Sequence, residues 1–148
     1  MCIRDSPNKA ASGFFSGIIR EPLNGQEAIL PVADTVRHWH ASPRAAVAFL
    51  IHAATMDTAR LGNRRSLTMP GLAATIGEQI EALRRIAGDA VAARIRRQPD
   101  ATIQAIVSGW PERFVARRAE ELGFKAEASF DEIIRVYIDD ELDGRVPG

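Results

Sequence analysis

The spacing of apolar residues along the chain predicts a mostly helical protein. The clearest stripe occupies positions i, i+3, i+4, i+7 and i+8 of one helix, and its members are Phe130, Ile133, Ile134, Tyr137 and Ile138. Ser129 precedes this stripe and Glu132 follows three residues later, a pattern typical of a capping box at a helix start. The sequence therefore predicts an amphipathic helix that begins here, with Tyr137 in the core.

The first half of the chain predicts two helices. Residues 13–23 are apolar with helical spacing, and the Asn24–Gly25 pair after them is a turn signal. Ser42 is a favoured N-cap, and Pro43 suits the first helical position because no N–H is needed there. The second helix is predicted over residues 43–60, with its apolar positions at Val47, Leu50, Ile51 and Ala54.

The second half predicts further helices and little else. One face of a helix that ends near Gly88 is marked by Leu72, Ile76, Ile80 and Leu83. Residues 102–107 form a short predicted helix, and another is predicted from Trp110–Pro111 to Gly123.

Only three short strands are predicted, over residues 28–32, 35–41 and 66–69. Two or three short strands are marginal on their own. We therefore expect the strands and the first helix to belong to a larger sheet whose other strands are not part of this chain. On this view the apolar residues of that helix, Phe14, Phe15, Ile18 and Ile19, are partly exposed.

Composition narrows the function classes. The 148 residues suffice for one domain, and 19 basic side chains balance 19 acidic ones, which argues against a nucleic-acid partner. The single cysteine excludes a disulfide framework or a zinc site of several thiolates, and favours a reducing compartment. The longest uncharged run, residues 45–56, is shorter than the roughly 20 apolar residues of a spanning helix, so no membrane partner is expected.

The chain ends are predicted to lie outside the domain. Residues 1–6 are interpreted as non-native, or else as a short disordered native terminus, and residues 143–148 as a disordered tail. The domain itself is predicted over residues 7–142.

Candidate chemistry is sparse. His38 and His40 alternate on a predicted strand with Asp34 at the same parity, but a polar strand edge is favoured over a metal site, and no metal is expected. Arg37 and Arg44 flank that strand and the following helix start, a kind of region where anions bind. No P-loop and no glycine-rich dinucleotide-binding loop follow from the sequence.

Several segments together resemble a known family. They are PNKAASGFFSGIIREPL at residues 7–23, WHASPRAA at 39–46, Trp110–Pro111, RRAEELGF at 117–124 and SFDEII at 129–134. The chain resembles D-erythronate dehydrogenases, which are extended short-chain dehydrogenases/reductases of the NAD-dependent epimerase/dehydratase type, over residues 7–142. The resemblance implies an α/β fold: the C-terminal part of an extended Rossmann-type enzyme, mostly helical with a few short strands.

The resemblance also implies an activity for the whole enzyme. It would oxidise the 2-hydroxyl of a small sugar acid, with NAD (or NADP) accepting the hydride and a Tyr, assisted by Lys and Ser, acting as base. None of those three residues is carried over, because the one tyrosine, Tyr137, is followed four residues later by Glu141 and not by Lys. This chain is therefore expected to hold no catalytic residue and, alone, neither to bind NAD nor to turn over substrate.

The remaining candidate residues are those that would bind the substrate. The resemblance implies that Asn8 and Ser12 lie near the nicotinamide and substrate, and that Arg37, His40 and Arg44 are candidates for holding the substrate carboxylate. It also implies a cytoplasmic enzyme of carbohydrate metabolism and a possible homodimer. Two alternatives stay open: a fragment of a nucleotide-sugar epimerase or dehydratase, and a helical interaction module without catalysis. The missing catalytic motifs favour the module, whereas the strand signals favour an enzyme fold.

Overall fold

The computed structural model describes residues 11–146. A 3-10 turn at Thr58–Leu61 separates the second helix from the third strand. The helices and strands, in chain order, are α1 (Gly13–Leu23), β1 (Ala28–Leu30), β2 (Arg37–His40), α2 (Pro43–Thr55), β3 (Leu72–Thr75), α3 (Ile76–Ala87), α4 (Asp89–Ala92), β4 (Ile95–Arg97), α5 (Ala101–Ser108), α6 (Arg117–Glu121) and α7 (Phe130–Glu141).

The strands form two separate pairs. β1 runs parallel to β4, with Ala28 opposite Ile95, and β2 runs antiparallel to β3, with His40 opposite Leu72. Neither pair extends into a larger sheet among the described residues. Because two-stranded pairs are marginal alone, their stability comes from the helices packed against them.

Most apolar burial is concentrated in one cluster, here called the main core. α3 and α7 pack against each other, and α1 packs against β1, α3 and α7. Its fully buried members include Ile18, Leu23, Leu30, Leu83 and Ile134. A second cluster, the small core, joins α2 to the segment around α6 and consists of Ala45, Phe49, Ala119, Leu122 and Phe124.

Four helices begin where a side chain satisfies free N–H groups of the first turn, and at α5 the Asp100 carboxylate accepts from the Thr102 and Ile103 N–H groups at 2.8 and 3.1 Å. The Ser42 hydroxyl accepts from the Ala45 N–H at 3.0 Å, and the Ser129 hydroxyl accepts from the Glu132 N–H at 3.3 Å. At the start of α3, Thr75 and Glu78 cap each other's backbone N–H groups reciprocally. The reciprocal half predicted at Ser129 differs, because the Glu132 carboxylate accepts from the Ala128 N–H at 3.0 Å.

Two helix starts were placed too early. Leu72 belongs to β3, and α3 begins only at Ile76 because the Thr75–Glu78 cap fixes its start. In the segment predicted as a helix from Trp110 to Gly123, only Arg117–Glu121 is helical. There the Trp110 ring turns inward against the His38 ring, with ring centroids 5.6 Å apart, and the chain stays irregular up to residue 116.

Two further expectations also need correction. α2 ends at Thr55 rather than near residue 60, because Asp57 caps a separate 3-10 turn through the Ala59 N–H at 2.9 Å. Residues 66–69 form no strand, since no strand pairs with them within residues 11–146. This segment instead runs past β2. Gly71, which follows it, lies so close to the Trp39 side chain that an added Cβ would be 2.5 Å from Trp39 Nε1.

The apolar side chains of α1 are more deeply buried than the sequence predicts. Phe15, Ile18 and Ile19 are buried in the main core, and Phe14 is half-buried against it. The expectation that these four residues are partly exposed was wrong for all but Phe14, because α3, α7 and β1 supply the missing cover.

The ends of the chain are described only in part. Residues 143–146 follow α7 in a turn in which the Gly144 N–H donates to the Ile138 carbonyl at 3.0 Å. Residues 1–10 and 147–148 lie outside the described residues, so the predicted tail at 1–6 is not tested. No helix within residues 11–146 combines the length and apolar character needed to cross a membrane.

Candidate substrate-binding site

The two faces of β2 carry different chemistry. Because side chains alternate along a strand, His38 and His40 share one face while Arg37 and Trp39 share the other. The histidine face points toward α1 and the main core, where the rings of His38 and Phe15 are 4.9 Å apart and those of His40 and Phe130 are 5.4 Å apart. The two imidazoles therefore lie in an aromatic surrounding beside the first turn of α1.

His40 is held as a neutral imidazole. Burial, and to a smaller extent the neighbouring His38, lowers the pKa of His40 from 6.5 to about 4. The fully buried Gln79 places its amide nitrogen 3.1 Å from His40 Nε2, and an amide N–H donates, so this ring nitrogen is the acceptor. At neutral pH His40 supplies no positive charge to a carboxylate, and any contact it makes with a substrate is that of a neutral hydrogen-bonding group.

Ser12 lies at the start of α1, three residues before Phe15. It is half-buried, its carbonyl accepts from the Phe15 N–H at 3.2 Å, and its hydroxyl makes no capping hydrogen bond. Ser12 thus lies in the same turn of the chain as Phe15, whose ring contacts the histidine face of β2. Asn8, the other residue predicted to lie near the nicotinamide, is outside the described residues.

Arg37 lies on the opposite face of β2 from His40. Its guanidinium donates to the Ala73 carbonyl at 3.2 Å and lies 3.3 Å from the Glu78 carboxylate. The pKa of Glu78 is lowered, first by the hydrogen bond from the Thr75 backbone and then by Arg37 among smaller causes. A single small ligand cannot contact Arg37 and His40 together from opposite faces of one strand.

Arg44 is exposed and paired with α7. Its guanidinium forms a two-point contact with the Asp140 carboxylate, with N···O distances of 2.5 and 3.3 Å. This hydrogen bonding raises the pKa of Arg44 and ties the first turn of α2 to the end of α7. The structure therefore does not bring Arg37, His40 and Arg44 together, and their predicted role in holding a carboxylate stays a prediction.

Three residues that surround the histidine face were not singled out from the sequence as substrate-binding candidates: His38, Gln79 and Trp110. His38 was considered only as a metal ligand. Gln79 had a usable signal, since it is a polar residue between Ile76, Ile80 and Leu83 on a stripe that is otherwise apolar. A polar side chain buried at such a position requires a hydrogen-bond partner, which is His40.

Two residues with other candidate roles are accounted for structurally. Asp34 pairs with Arg97, and no group of three metal-ligating side chains occurs in the described part of the chain. The Tyr137 hydroxyl is 2.8 Å from the Asn24 amide nitrogen, and burial of the ring raises the pKa of Tyr137. Tyr137 is a core residue of α7, as its position in the apolar stripe predicts.

Comparison with solved structures defines the class of fold. A crystal structure described as a nucleoside-diphosphate-sugar epimerase from Agrobacterium tumefaciens matches 99% of this chain and 43% of its own chain, with a TM-score of 0.95 and 60% identity. A GalE-like L-threonine dehydrogenase from Cupriavidus necator matches 93% of this chain with a TM-score of 0.76 at 20% identity. The predicted fold class is confirmed: the chain has the fold of the C-terminal part of extended Rossmann-type short-chain dehydrogenases/reductases.

Curated relatives narrow the resemblance. The chain is 52% identical over 134 residues to a D-erythronate dehydrogenase from Cupriavidus necator. This alignment covers 90% of the chain and 41% of that protein. It is 36% identical over 143 residues to a D-erythronate dehydrogenase from Haemophilus influenzae, covering 96% and 45%. The resemblance predicted from the sequence is confirmed, and the chain spans less than half the length of these relatives. No family model matches the chain.

Proposed function

We propose that this chain is the substrate-binding portion of an NAD-dependent oxidoreductase that acts on the 2-hydroxyl of a small sugar acid such as D-erythronate. The observation that carries the proposal is the 52% identity to a D-erythronate dehydrogenase across nine-tenths of the chain. The same resemblance supports a place in carbohydrate metabolism. The single cysteine suits the reducing cytoplasm.

NAD would supply the hydride acceptor, but residues 11–146 do not form its phosphate-binding site. Such a site needs a strand that leads into a glycine-rich loop opening a helix, where backbone N–H groups meet the pyrophosphate. Among the described residues, the chain passes from a strand into a helix at β2–α2, β3–α3 and β4–α5, and none of these three junctions contains a glycine-rich loop. This chain's contribution is therefore to bind and orient substrate at the first turn of α1 and the histidine face of β2.

A chimera tests the proposal. Residues 11–146 replace the matching part of the Cupriavidus necator D-erythronate dehydrogenase, and NADH formation is followed with D-erythronate as substrate. We expect D-erythronate-dependent reduction of NAD, with the isolated chain inactive and without saturable NAD binding by calorimetry. A folded chimera that binds NAD but leaves D-erythronate unchanged would overturn the proposal.

A second candidate function is favoured by the 60% identity to the structure described as a nucleoside-diphosphate-sugar epimerase. Epimerisation leaves no net NADH, so it is separated from oxidation by supplying a nucleoside-diphosphate sugar and analysing the products by chromatography. An epimeric product without NADH accumulation would favour this function over the dehydrogenase. Light scattering of the same chimera tests the proposed homodimer.

A further inference from the structure

A cavity of about 480 Å³ opens beside the small core. One wall consists of residues 64–68, which follow the 3-10 turn, and the other consists of four residues around the start of α6, between positions 115 and 119. Leu67 packs against the small core, and Ala119 is one of its members. No lining residue lies on the histidine face of β2, so the cavity is separate from the candidate substrate-binding site.

The lining of this cavity is positive, although the chain as a whole has no net charge. Among the described residues that line it, three are arginines, Arg64, Arg65 and Arg118, and none is acidic. Seven other arginines form ion pairs with carboxylates within residues 11–146, whereas these three form none there. Because a guanidinium stays protonated in proteins, the three charges are not neutralised by carboxylates of that range.

Arg118 is the fixed member of the three. Its half-buried guanidinium donates to the carbonyls of Leu61 and Arg64 at 2.6 and 2.5 Å and to that of Ser66 at 3.4 Å. These hydrogen bonds hold the segment after the 3-10 turn against α6, so the two walls of the cavity are joined before any ligand binds. A guanidinium has five N–H donors, and two therefore remain after the three contacts.

Such a lining suits a ligand with a phosphate group. Guanidinium groups donate in pairs to phosphate or carboxylate oxygens, and the Ser66 and Thr68 hydroxyls are further donors on the cavity wall. Three positive charges attract the double charge of a phosphate more strongly than the single charge of a carboxylate.

The size and the apolar part of the lining indicate an organic ligand. A volume of about 480 Å³ falls within the range of small-molecule sites and exceeds the needs of a single ion. Val115 lines the cavity and is 78% exposed, and Leu67 lies on the opposite wall. A ligand whose phosphate meets the arginines would cover these apolar side chains with the remainder of the molecule.

We propose that the cavity between residues 64–68 and the start of α6 binds a phosphorylated small molecule. Arg64, Arg65 and Arg118 contact its phosphate, and Val115 contacts its organic part. The site is independent of the proposed function, because it shares no residue with the histidine face of β2.

The probes are phenyl phosphate and inorganic phosphate, titrated into the full 148-residue chain at low ionic strength. Calorimetry gives the dissociation constants, and changes in amide NMR shifts locate the bound probe. D-erythronate serves as the carboxylate for comparison. Arg65→Gln and Arg64→Gln each remove one charge at an exposed lining position, and Arg117→Gln removes the same charge from an exposed residue of α6 that does not line the cavity. Melting temperatures check that each variant folds.

We expect saturable one-to-one binding of phenyl phosphate, weaker binding of inorganic phosphate, and shift changes concentrated in residues 64–68 and 115–119. Arg65→Gln and Arg64→Gln should each raise the Kd of phenyl phosphate roughly tenfold, the effect of one lost hydrogen bond between charged groups, and Arg117→Gln by less than about twofold. Equal weakening in all three variants would indicate unspecific attraction and overturn the proposal. It would also be overturned by shift changes elsewhere, by the absence of saturable binding, or by D-erythronate binding as tightly as phenyl phosphate. Equal affinity for the two phosphate probes would overturn the contact of Val115 with an organic part.

Discussion

Helices α7 and α2 start alike and end up in different surroundings. Each begins at a serine whose hydroxyl accepts a backbone N–H three residues later, Ser129 for α7 and Ser42 for α2. Each also carries apolar residues at helical spacing. In α7 the stripe is buried in the main core, with Ile134 0% exposed, whereas in α2 Leu50 is 73% exposed.

The difference arises from neighbours and not from periodicity. α7 packs against α3 and α1, which cover its apolar stripe. α2 instead buries the opposite side, where Ala45 and Phe49 belong to the small core and the Phe49 and Phe124 rings are 6.2 Å apart. The spacing of Val47, Leu50 and Ile51 thus predicts an apolar face correctly, but the spacing does not tell which of two faces finds a partner.

The largest contrast concerns core packing. Ile134→Ala in α7 should lower the free energy of unfolding by about 2–5 kcal/mol, because it opens a cavity at a fully buried position. Leu50→Ala in α2 should change it by less than about 0.5 kcal/mol, because that side chain is mostly in solvent. Chemical denaturation measures both. Similar losses at the two positions would mean that the apolar face of α2 is covered in the isolated chain.

The next effect is a pH dependence located beside α7. Since the folded-state pKa of His40 is about 4 and its ordinary value is 6.5, the unfolded chain binds the extra proton between these values. Stability should therefore fall as the pH drops from 6.5 to 4, by up to about 3 kcal/mol. Denaturation midpoints measured across this range test the dependence.

A matched control lies on α2. His40→Phe should remove most of the pH dependence, whereas His52→Gln, on α2 against the Leu122 carbonyl, should leave it in place. Persistence of the full dependence in His40→Phe would show that another group is responsible.

Local helix signals could be predicted from the sequence, whereas contacts between residues distant in sequence could not. The starts of α2 and α7 and the end of α1 were predictable because an N-cap, a proline or a turn signal is a local property of a few residues. β3, β4 and the position of His38 between Phe15 and Trp110 depend on residues distant in sequence, which periodicity does not report. In the candidate site, the roles of Ser12 and His40 stay predictions. The Arg37 and Arg44 ion pairs could not be predicted, because they depend on the packing of β2 on α3 and of α2 against α7.

A smaller effect is expected at the two serine caps. Ser129→Ala and Ser42→Ala should each cost about 1 kcal/mol of stability, the usual contribution of an N-cap hydroxyl. Ser42 is the more informative position, because its hydroxyl and its backbone N–H both contact the Glu127 carboxylate. An unchanged denaturation midpoint in Ser42→Ala would contradict this account of the start of α2.

A comparably small change is expected for Tyr137→Phe in the chimera. The substitution removes the hydroxyl that meets the Asn24 amide but keeps the ring in the core, so stability should fall by about 1 kcal/mol. Turnover of D-erythronate should stay close to that of the unsubstituted chimera. A loss of several orders of magnitude would identify Tyr137 as a catalytic group and contradict its assignment to the core.

The smallest effect on stability concerns the exposed face of α2, defined by Val47, Leu50 and Ile51. Leu50→Gln in the isolated chain should change the free energy of unfolding by less than about 0.5 kcal/mol, because the side chain is mostly in solvent before and after the substitution. The same change should reduce self-association, since it interrupts a contiguous apolar patch. Light scattering as a function of protein concentration measures self-association, with Glu120→Gln on α6, an exposed position outside the patch, as the control.

In the chimera the effect of Leu50→Gln on stability should be larger if the added half covers α2. The substitution would then cost about 2 kcal/mol, the value of burying one such side chain. Equal, near-zero effects in both proteins would mean that this face of α2 stays in solvent in the chimera as well.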